Sequence, residues 1–156
     1  MPLDYLPILA RRRAPGPPRK LERIEKPAWH PLSNPLRKMC IALITSAAIR
    51  EESQRPFPRS RDASYRKIRS DSAVTELHLD HRSPFGSAAR KDPETVFPIK
   101  ALKTAADQGL VGSVAPFHFS IYGGIQLYRE IEEKLAPALA GHLVKMRVDL
   151  AVMVPY

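Results

Sequence analysis

Two short apolar runs constrain the fold of this chain more than any other feature. Residues 39–49 read MCIALITSAAI, and residues 148–154 read VDLAVMV. Strands that are covered by helices on both faces of a parallel sheet show such nearly continuous apolar runs. The runs therefore predict an α/β fold: a parallel sheet with flanking helices, similar to one half of a Rossmann-type domain.

A short helix is predicted between the two runs. Ile99, Leu102 and Ala106 recur at the spacing of one buried helix face. Pro98 suits the first turn, because its missing N–H would have no partner inside the helix. Gly109 stands where a helix commonly ends in a left-handed residue.

The remaining segments of this region are read from shorter signals. Residues 74–79, VTELHL, alternate enough to predict a second strand, and residues 110–115 a brief extended piece. Residues 116–124 are predicted to be a loop that leads into the longest helix, residues 126–145. Pro137 should kink that helix or split it into two pieces. A sheet of so few strands would have open edges, so we expect the chain alone to be marginally stable.

The first part of the chain is predicted to be a Pro-rich, basic, extended arm. Residues 1–38 hold half of the 16 prolines, which excludes regular helix or a central strand there. Trp29 is its one strong apolar anchor. The predicted organisation is an arm over residues 1–38 and an α/β domain over residues 39–156.

Composition limits the classes of protein to which the chain can belong. The net charge is +9, and all of the excess lies in residues 1–72, whose basic residues interleave with few aromatic residues and match no nucleic-acid-binding motif. Nucleic-acid binding is therefore disfavoured.

No apolar run reaches the ~18–20 residues that span a bilayer, and no secretory signal is evident, so a cytoplasmic location without membrane contact is expected. The single Cys40 excludes an internal disulfide and is read as a core residue.

Three residues are candidates for catalysis: His81, Asp92 and His118. His81 follows a predicted strand, and α/β proteins bind ligands at the carboxyl ends of parallel strands. A histidine there could act as an acid, a base or a ligand-orienting group, or it could simply pair with Asp80. His118 lies in a Ser- and Gly-containing segment that could hold an anion. No spacing indicates a metal site or a cofactor-binding motif.

Short pieces that cover most of the chain resemble, in order and spacing, the selenoprotein B subunit family of the glycine, sarcosine and betaine reductases, together with the related D-proline reductase subunit. These pieces are Pro27-Ala28-Trp29, Cys40 to Ser46, Asp62, Ser64 to Ile68, His81, Asp92-Pro93, Val96 to Ile99, Gly109 to Gly112, Ala115-Pro116, Gly123-Gly124, Leu135 to Ala140 and Val148 to Pro155. No single piece is specific, but their joint order is.

The resemblance implies the amino-terminal part of a reductase subunit that cleaves a C–N bond of glycine, sarcosine, betaine or D-proline. In the family, a selenocysteine or cysteine nucleophile follows the Val-Pro strand end, with a Cys a few residues further on. That redox centre is expected just after Tyr156, so the domain is expected to be incomplete at its carboxyl end and the next codon to be UGA. The implied partners are other subunits of the complex. No cofactor is implied within the chain itself.

The chain departs from the family at one place, and a second reading stays open. The family carries Tyr-Asp soon after the histidine, where this chain has Pro84-Phe85. Phe can neither ionise nor accept a hydrogen bond from His81. The alternative is a catalytically silent relative that acts as a small-molecule or protein binding module, so whether the chain is an enzyme stays open.

Overall fold

A computed structural model describes residues 30–58, 62–81, 86–123 and 127–156. Trp29 and most of the predicted arm lie outside the described residues, so the anchoring of Trp29 and the domain boundary after residue 38 stay predictions. The described residues form an α/β fold, as the two apolar runs predict. None of the helices in these ranges is both long and apolar enough to cross a bilayer.

Strands and helices alternate only partly along the chain. The strands are β1 (Cys40–Thr45), β2 (Ile49–Glu51), β3 (Tyr65–Arg69), β4 (Leu77–Leu79), β5 (Ser113–Val114), β6 (Phe117–Ile121) and β7 (Leu150–Val154). The helices are α1 (Ser87–Lys91), α2 (Ile99–Asp107) and α3 (residues 128–145). Single 3₁₀ turns occupy Leu36–Lys38, Val74–Glu76 and Pro93–Thr95.

The main sheet is built around β1. On one side β1 pairs in parallel with β7, from Ile41 opposite Leu150 to Thr45 opposite Val154. On its other side β1 pairs in parallel first with β5 and then with β6. Strand β3 adds to β6 in the antiparallel direction, so the sheet is mixed. Both apolar runs form strands of this sheet and run parallel to each other, whereas the predicted all-parallel sheet is interrupted by β3.

Two predictions about strands are wrong. Residues 117–121, expected in a loop, form β6. Their FHFSI pattern alternates as a strand does, but Pro116 directly before it had suggested a loop. Only Leu77–Leu79 of the predicted second strand is extended, and it pairs antiparallel with β2 in a separate two-stranded sheet. The chain leaves the main sheet for β2 at Ala48, whose φ is 54°.

The helices follow their sequence signals. Helix α2 has Pro98 as its N-cap, and Gly109 takes a left-handed φ of 70° just beyond its end. Helix α3 begins as Tyr128–Glu130, becomes π-helical over Ile131–Leu135 and continues as an α-helix over Ala136–Lys145. The π segment ends at Leu135, two residues before Pro137, so the irregularity expected at that proline takes the form of a local change of helix type.

Apolar side chains cover both faces of the main sheet. Leu43 packs with Phe97 and Ile99 in one cluster, whereas its neighbour Ile44 packs with Leu135 and Leu139 of α3 in the other. Successive residues of a strand point to opposite faces, which explains why the β1 run is apolar throughout. Cys40, at the start of β1, is a free thiol that is only partly buried.

Candidate functional site at the carboxyl edge of the sheet

The parallel strands β1, β6 and β7 end at the same edge of the main sheet. Ser46 follows β1, Gly123 follows β6 by two residues, and Tyr156 follows β7 by two residues. The Ser46 N–H donates to the Val154 carbonyl at 3.1 Å, and the Tyr156 N–H donates to Ser46 Oγ at 2.8 Å. These bonds hold the end of β7 against the end of β1.

His81 reaches this edge even though β4, the strand before it, lies outside the main sheet. Its imidazole stacks on the Tyr122 ring, with centroids 5.2 Å apart and planes 28° from parallel. The Tyr156 ring meets it edge-on at 5.1 Å. Burial lowers the pKa of His81 below its ordinary value, which favours the neutral imidazole. A neutral imidazole can accept a proton, as a general base must.

Gly123 allows the strand ends and His81 to come close together. A Cβ at this position would lie 2.8 Å from the Ser46 carbonyl oxygen and 2.9 Å from His81 Nε2. Both distances are too short for a real side chain, so the backbone approach requires glycine. The sequence singled out the glycine pair; its second member, Gly124, lies outside the described residues.

Two buried polar atoms at this edge have no hydrogen-bond partner among the described residues: His81 Nδ1 and the Tyr156 hydroxyl. Buried polar atoms are paired in the great majority of cases, so unpaired ones point to a bound water or ligand. The Arg90 guanidinium of α1 donates to the His81 carbonyl at 3.4 Å. The sequence analysis did not select Arg90 or Tyr156 as site residues. Arg90 stands in no motif, and Tyr156 follows a predicted strand that has no polar cluster at its end.

An apolar cleft of about 140 Å³ adjoins the same edge. Its walls include Ile44, Ile121, Met153 and Pro155, and Ser46 is its polar neighbour. A cleft of this size suits a small ring or a few methylene groups rather than a large cofactor.

His118 occupies a different place from His81. It is fully buried within β6, and its Nδ1 accepts a hydrogen bond from the Leu43 N–H at 2.9 Å. Burial, with a smaller contribution from Lys103, lowers the pKa of His118 to about 4, so the ring is neutral at pH 7. Its ring packs edge-on against Phe97 in the core. The other ring nitrogen, Nε2, is buried without a hydrogen-bond partner among the described residues, whereas the Nδ1 bond and the Phe97 contact hold the ring in the core.

Asp92 lies at the surface, where it begins the 3₁₀ turn Pro93–Thr95. Its carboxylate accepts a hydrogen bond from the Glu94 N–H at 3.1 Å, as an N-cap residue does. No described hydrogen bond, ion pair or ring contact joins Asp92 or His118 to His81. Of the three candidates, only His81 stands at the edge where the parallel strands end.

No group of three His, Cys, Asp or Glu side chains among the described residues is arranged so that it could hold a metal ion.

Comparison with curated proteins relates the chain to an enzyme complex. It is similar to the D-proline reductase subunit gamma of Acetoanaerobium sticklandii, with 28% identity over 127 residues. The match covers 81% of this chain and 52% of the relative, so the chain spans about half the length of that protein. The chain is related to a reductase subunit. No family model matches it, and no solved structure does.

This similarity confirms the coarser part of the resemblance seen in the sequence. A relationship to D-proline reductase is supported, but no particular member is singled out. The glycine, sarcosine and betaine reductases named with it stay predictions.

Proposed function

We propose that this chain is a subunit, or part of a subunit, of a reductase complex that cleaves a C–N bond of a small amino acid or betaine, with D-proline as the first candidate substrate. The observation that supports this most is the position of the β7 end. The Tyr156 N–H donates a hydrogen bond to Ser46 Oγ, and the Tyr156 ring contacts the His81 ring. A nucleophile that follows the Val-Pro strand end would therefore lie beside a neutral imidazole.

The chemistry we propose uses a selenol or thiol positioned after the strand end. His81 accepts its proton, and the resulting selenolate or thiolate attacks the substrate carbon that bears nitrogen. The new Se–C or S–C bond forms as the C–N bond breaks, and the leaving nitrogen takes the proton. A second thiolate then attacks the selenium or sulfur, the carbon takes a proton from solvent, and an external dithiol reduces the mixed disulfide or selenosulfide.

A dithiol-dependent assay tests this proposal. The protein is isolated from its source with the partners that accompany it, and oxidation of dithiothreitol is followed with D-proline, glycine, sarcosine or betaine. We expect turnover with one of these substrates and a loss of at least tenfold in His81→Gln. Substrate binding without turnover would favour the silent binding module. The absence of both binding and turnover would refute the proposal.

Sequencing of the nucleotides downstream of the Tyr156 codon provides an independent test. An in-frame UGA followed within a few codons by Cys would support the nucleophile expected there. Another stop codon with no α/β coding sequence after it would remove that nucleophile from this protein.

A further inference from the structure

We infer that Arg90 and the Tyr156 hydroxyl form a carboxylate-binding subsite next to His81. The inference rests on the proposed function for its choice of ligand, since the candidate substrates share a carboxylate. It assigns to α1, a helix that no sequence signal had linked to the site, the task of orienting the substrate.

The Arg90 guanidinium and the Tyr156 hydroxyl both lie against Gly86. A Cβ at Gly86 would lie 3.0 Å from both terminal nitrogen atoms of Arg90 and 3.0 Å from the Tyr156 hydroxyl oxygen. The guanidinium and the hydroxyl are thus separated by at most twice that distance. A carboxylate that accepts hydrogen bonds of about 2.8 Å on its two oxygens can bridge donors over that range.

Arg90 is an exposed residue whose side chain forms no ion pair within the described residues. Arg50 and Arg69 form ion pairs there, with Asp80 and Glu51 respectively. Arg90 forms none in the same ranges, and the one hydrogen bond that its side chain donates there is a long one, to the His81 carbonyl. Arginine presents a planar fork of donors that matches a carboxylate, so this side chain is suited to bind one.

The Tyr156 hydroxyl is the second donor of the proposed subsite. It is buried and has no hydrogen-bond partner among the described residues, and the same is true of His81 Nδ1. A carboxylate bound between Arg90 and Tyr156 would accept a hydrogen bond from the Tyr156 hydroxyl and so give that group a partner. The carbon next to the carboxylate would then lie close to His81, whose ring is in contact with the Tyr156 ring.

The subsite is tested by comparing each amino acid with its primary amide, which lacks the negative charge. Calorimetry or ligand-observed NMR measures the binding of D-proline, glycine, sarcosine, betaine and their amides to the wild-type protein, Arg90→Gln, Arg90→Lys and Lys91→Gln. Lys91 is the matched control, because it is the adjacent exposed basic residue of α1.

The expected result is a loss of affinity of at least tenfold for the bound amino acid in Arg90→Gln, with weak amide binding unchanged. Arg90→Lys should recover part of the loss, because a lysine keeps the charge but not the fork. Lys91→Gln should bind as the wild type does, and thermal melts should show that all variants are folded.

Three results would overturn the subsite: equal affinity in Arg90→Gln, equal binding of an amino acid and its amide, or no binding of any of these carboxylates to the wild type. Failure of the reductase assay would be a separate matter. Arg90-dependent binding without any turnover would refute the proposed function and leave the subsite in place.

Discussion

At the scale of single residues, buried polar side chains replace main-chain bonds where the sheet is interrupted. Pro116 separates β5 from β6 and has no N–H to donate to a neighbouring strand. Near this break the Leu43 N–H donates its hydrogen bond to the His118 ring and not to a main-chain carbonyl. The Ile49 N–H likewise donates to Ser120 Oγ at 2.7 Å. A buried N–H without a partner is costly, so these side chains are part of the fold.

The hydrogen bond of His118 is tested by two substitutions. His118→Leu should lower the free energy of unfolding by about 1–3 kcal/mol, because it leaves the Leu43 N–H unpaired in the core. His118→Asn should cost less, since its side-chain oxygen can still accept that bond. Chemical denaturation measures both, and equal losses in the two variants would show that the hydrogen bond is unimportant.

The lowered pKa of His118 also predicts how stability depends on pH. The folded pKa of about 4 lies below the ordinary value of 6.5, so unfolding allows the ring to take up a proton between these values. The neutral His118 ring contributes fully to the free energy of unfolding above pH 6.5. This contribution is lost as the pH falls toward 4, by about 3 kcal/mol in all. His81 acts in the same direction.

Denaturation of the wild type and of His118→Asn at several pH values isolates this effect, because carboxylates titrate alike in both proteins. The difference between the two profiles should narrow as the pH falls from 7 to 4. Parallel profiles would contradict the assigned protonation state of His118.

At the scale of elements, glycines decide how closely segments pack. A Cβ at Gly112, directly before β5, would lie 2.6 Å from the Lys38 carbonyl carbon and 2.7 Å from the Met39 nitrogen. Gly112 also donates its N–H to the Leu36 carbonyl at 3.0 Å. In contrast, a Cβ at Gly141 in α3 would meet no atom within 4 Å.

These two glycines predict opposite effects of one substitution. Gly112→Ala should destabilise the protein by at least 1 kcal/mol, because the clash is with backbone that cannot move aside cheaply. Gly141→Ala should stabilise it by about 0.5–1 kcal/mol, since alanine is the better helix former. Thermal denaturation measures both, and a destabilised Gly141→Ala or a neutral Gly112→Ala would contradict the packing described.

At the scale of the whole molecule, the two outer strands of the main sheet differ in character. Strand β3 carries Arg66, Lys67 and Arg69, charges of the kind that discourage pairing with another chain. Strand β7 is uncharged, pairs only with β1 among the described strands, and exposes 64% of Met153. Among the described strands, β7 is thus the edge that no charged residue protects.

We therefore expect the purified chain to self-associate through β7. Met153→Lys should shift it toward monomer, because a lysine on an edge strand opposes strand addition. Val144→Lys is the control, because Val144 is an equally apolar and exposed residue of α3, away from the sheet edge. Sedimentation velocity measures both, and a wild type that is monomeric at high concentration would contradict the expectation.

The sequence by itself determined the elements that rest on local patterns. The apolar runs of β1 and β7, the helical spacing of α2 and its Gly109 cap are set by neighbours a few residues away, so they could be predicted. The choice of His81 also came from the sequence, although the argument assumed that β4 belongs to the parallel sheet, and it does not.

The tertiary structure alone decided which side chains meet. Leu43 and His118 are 75 positions apart, and Ser46 and Tyr156 are 110 apart, so no local pattern announces either contact. The same holds for the convergence of Arg90 and Tyr156 at Gly86, and for the difference between a histidine at the sheet edge and one in the core. Such contacts depend on how strands pair over long separations, which packing of the whole chain settles.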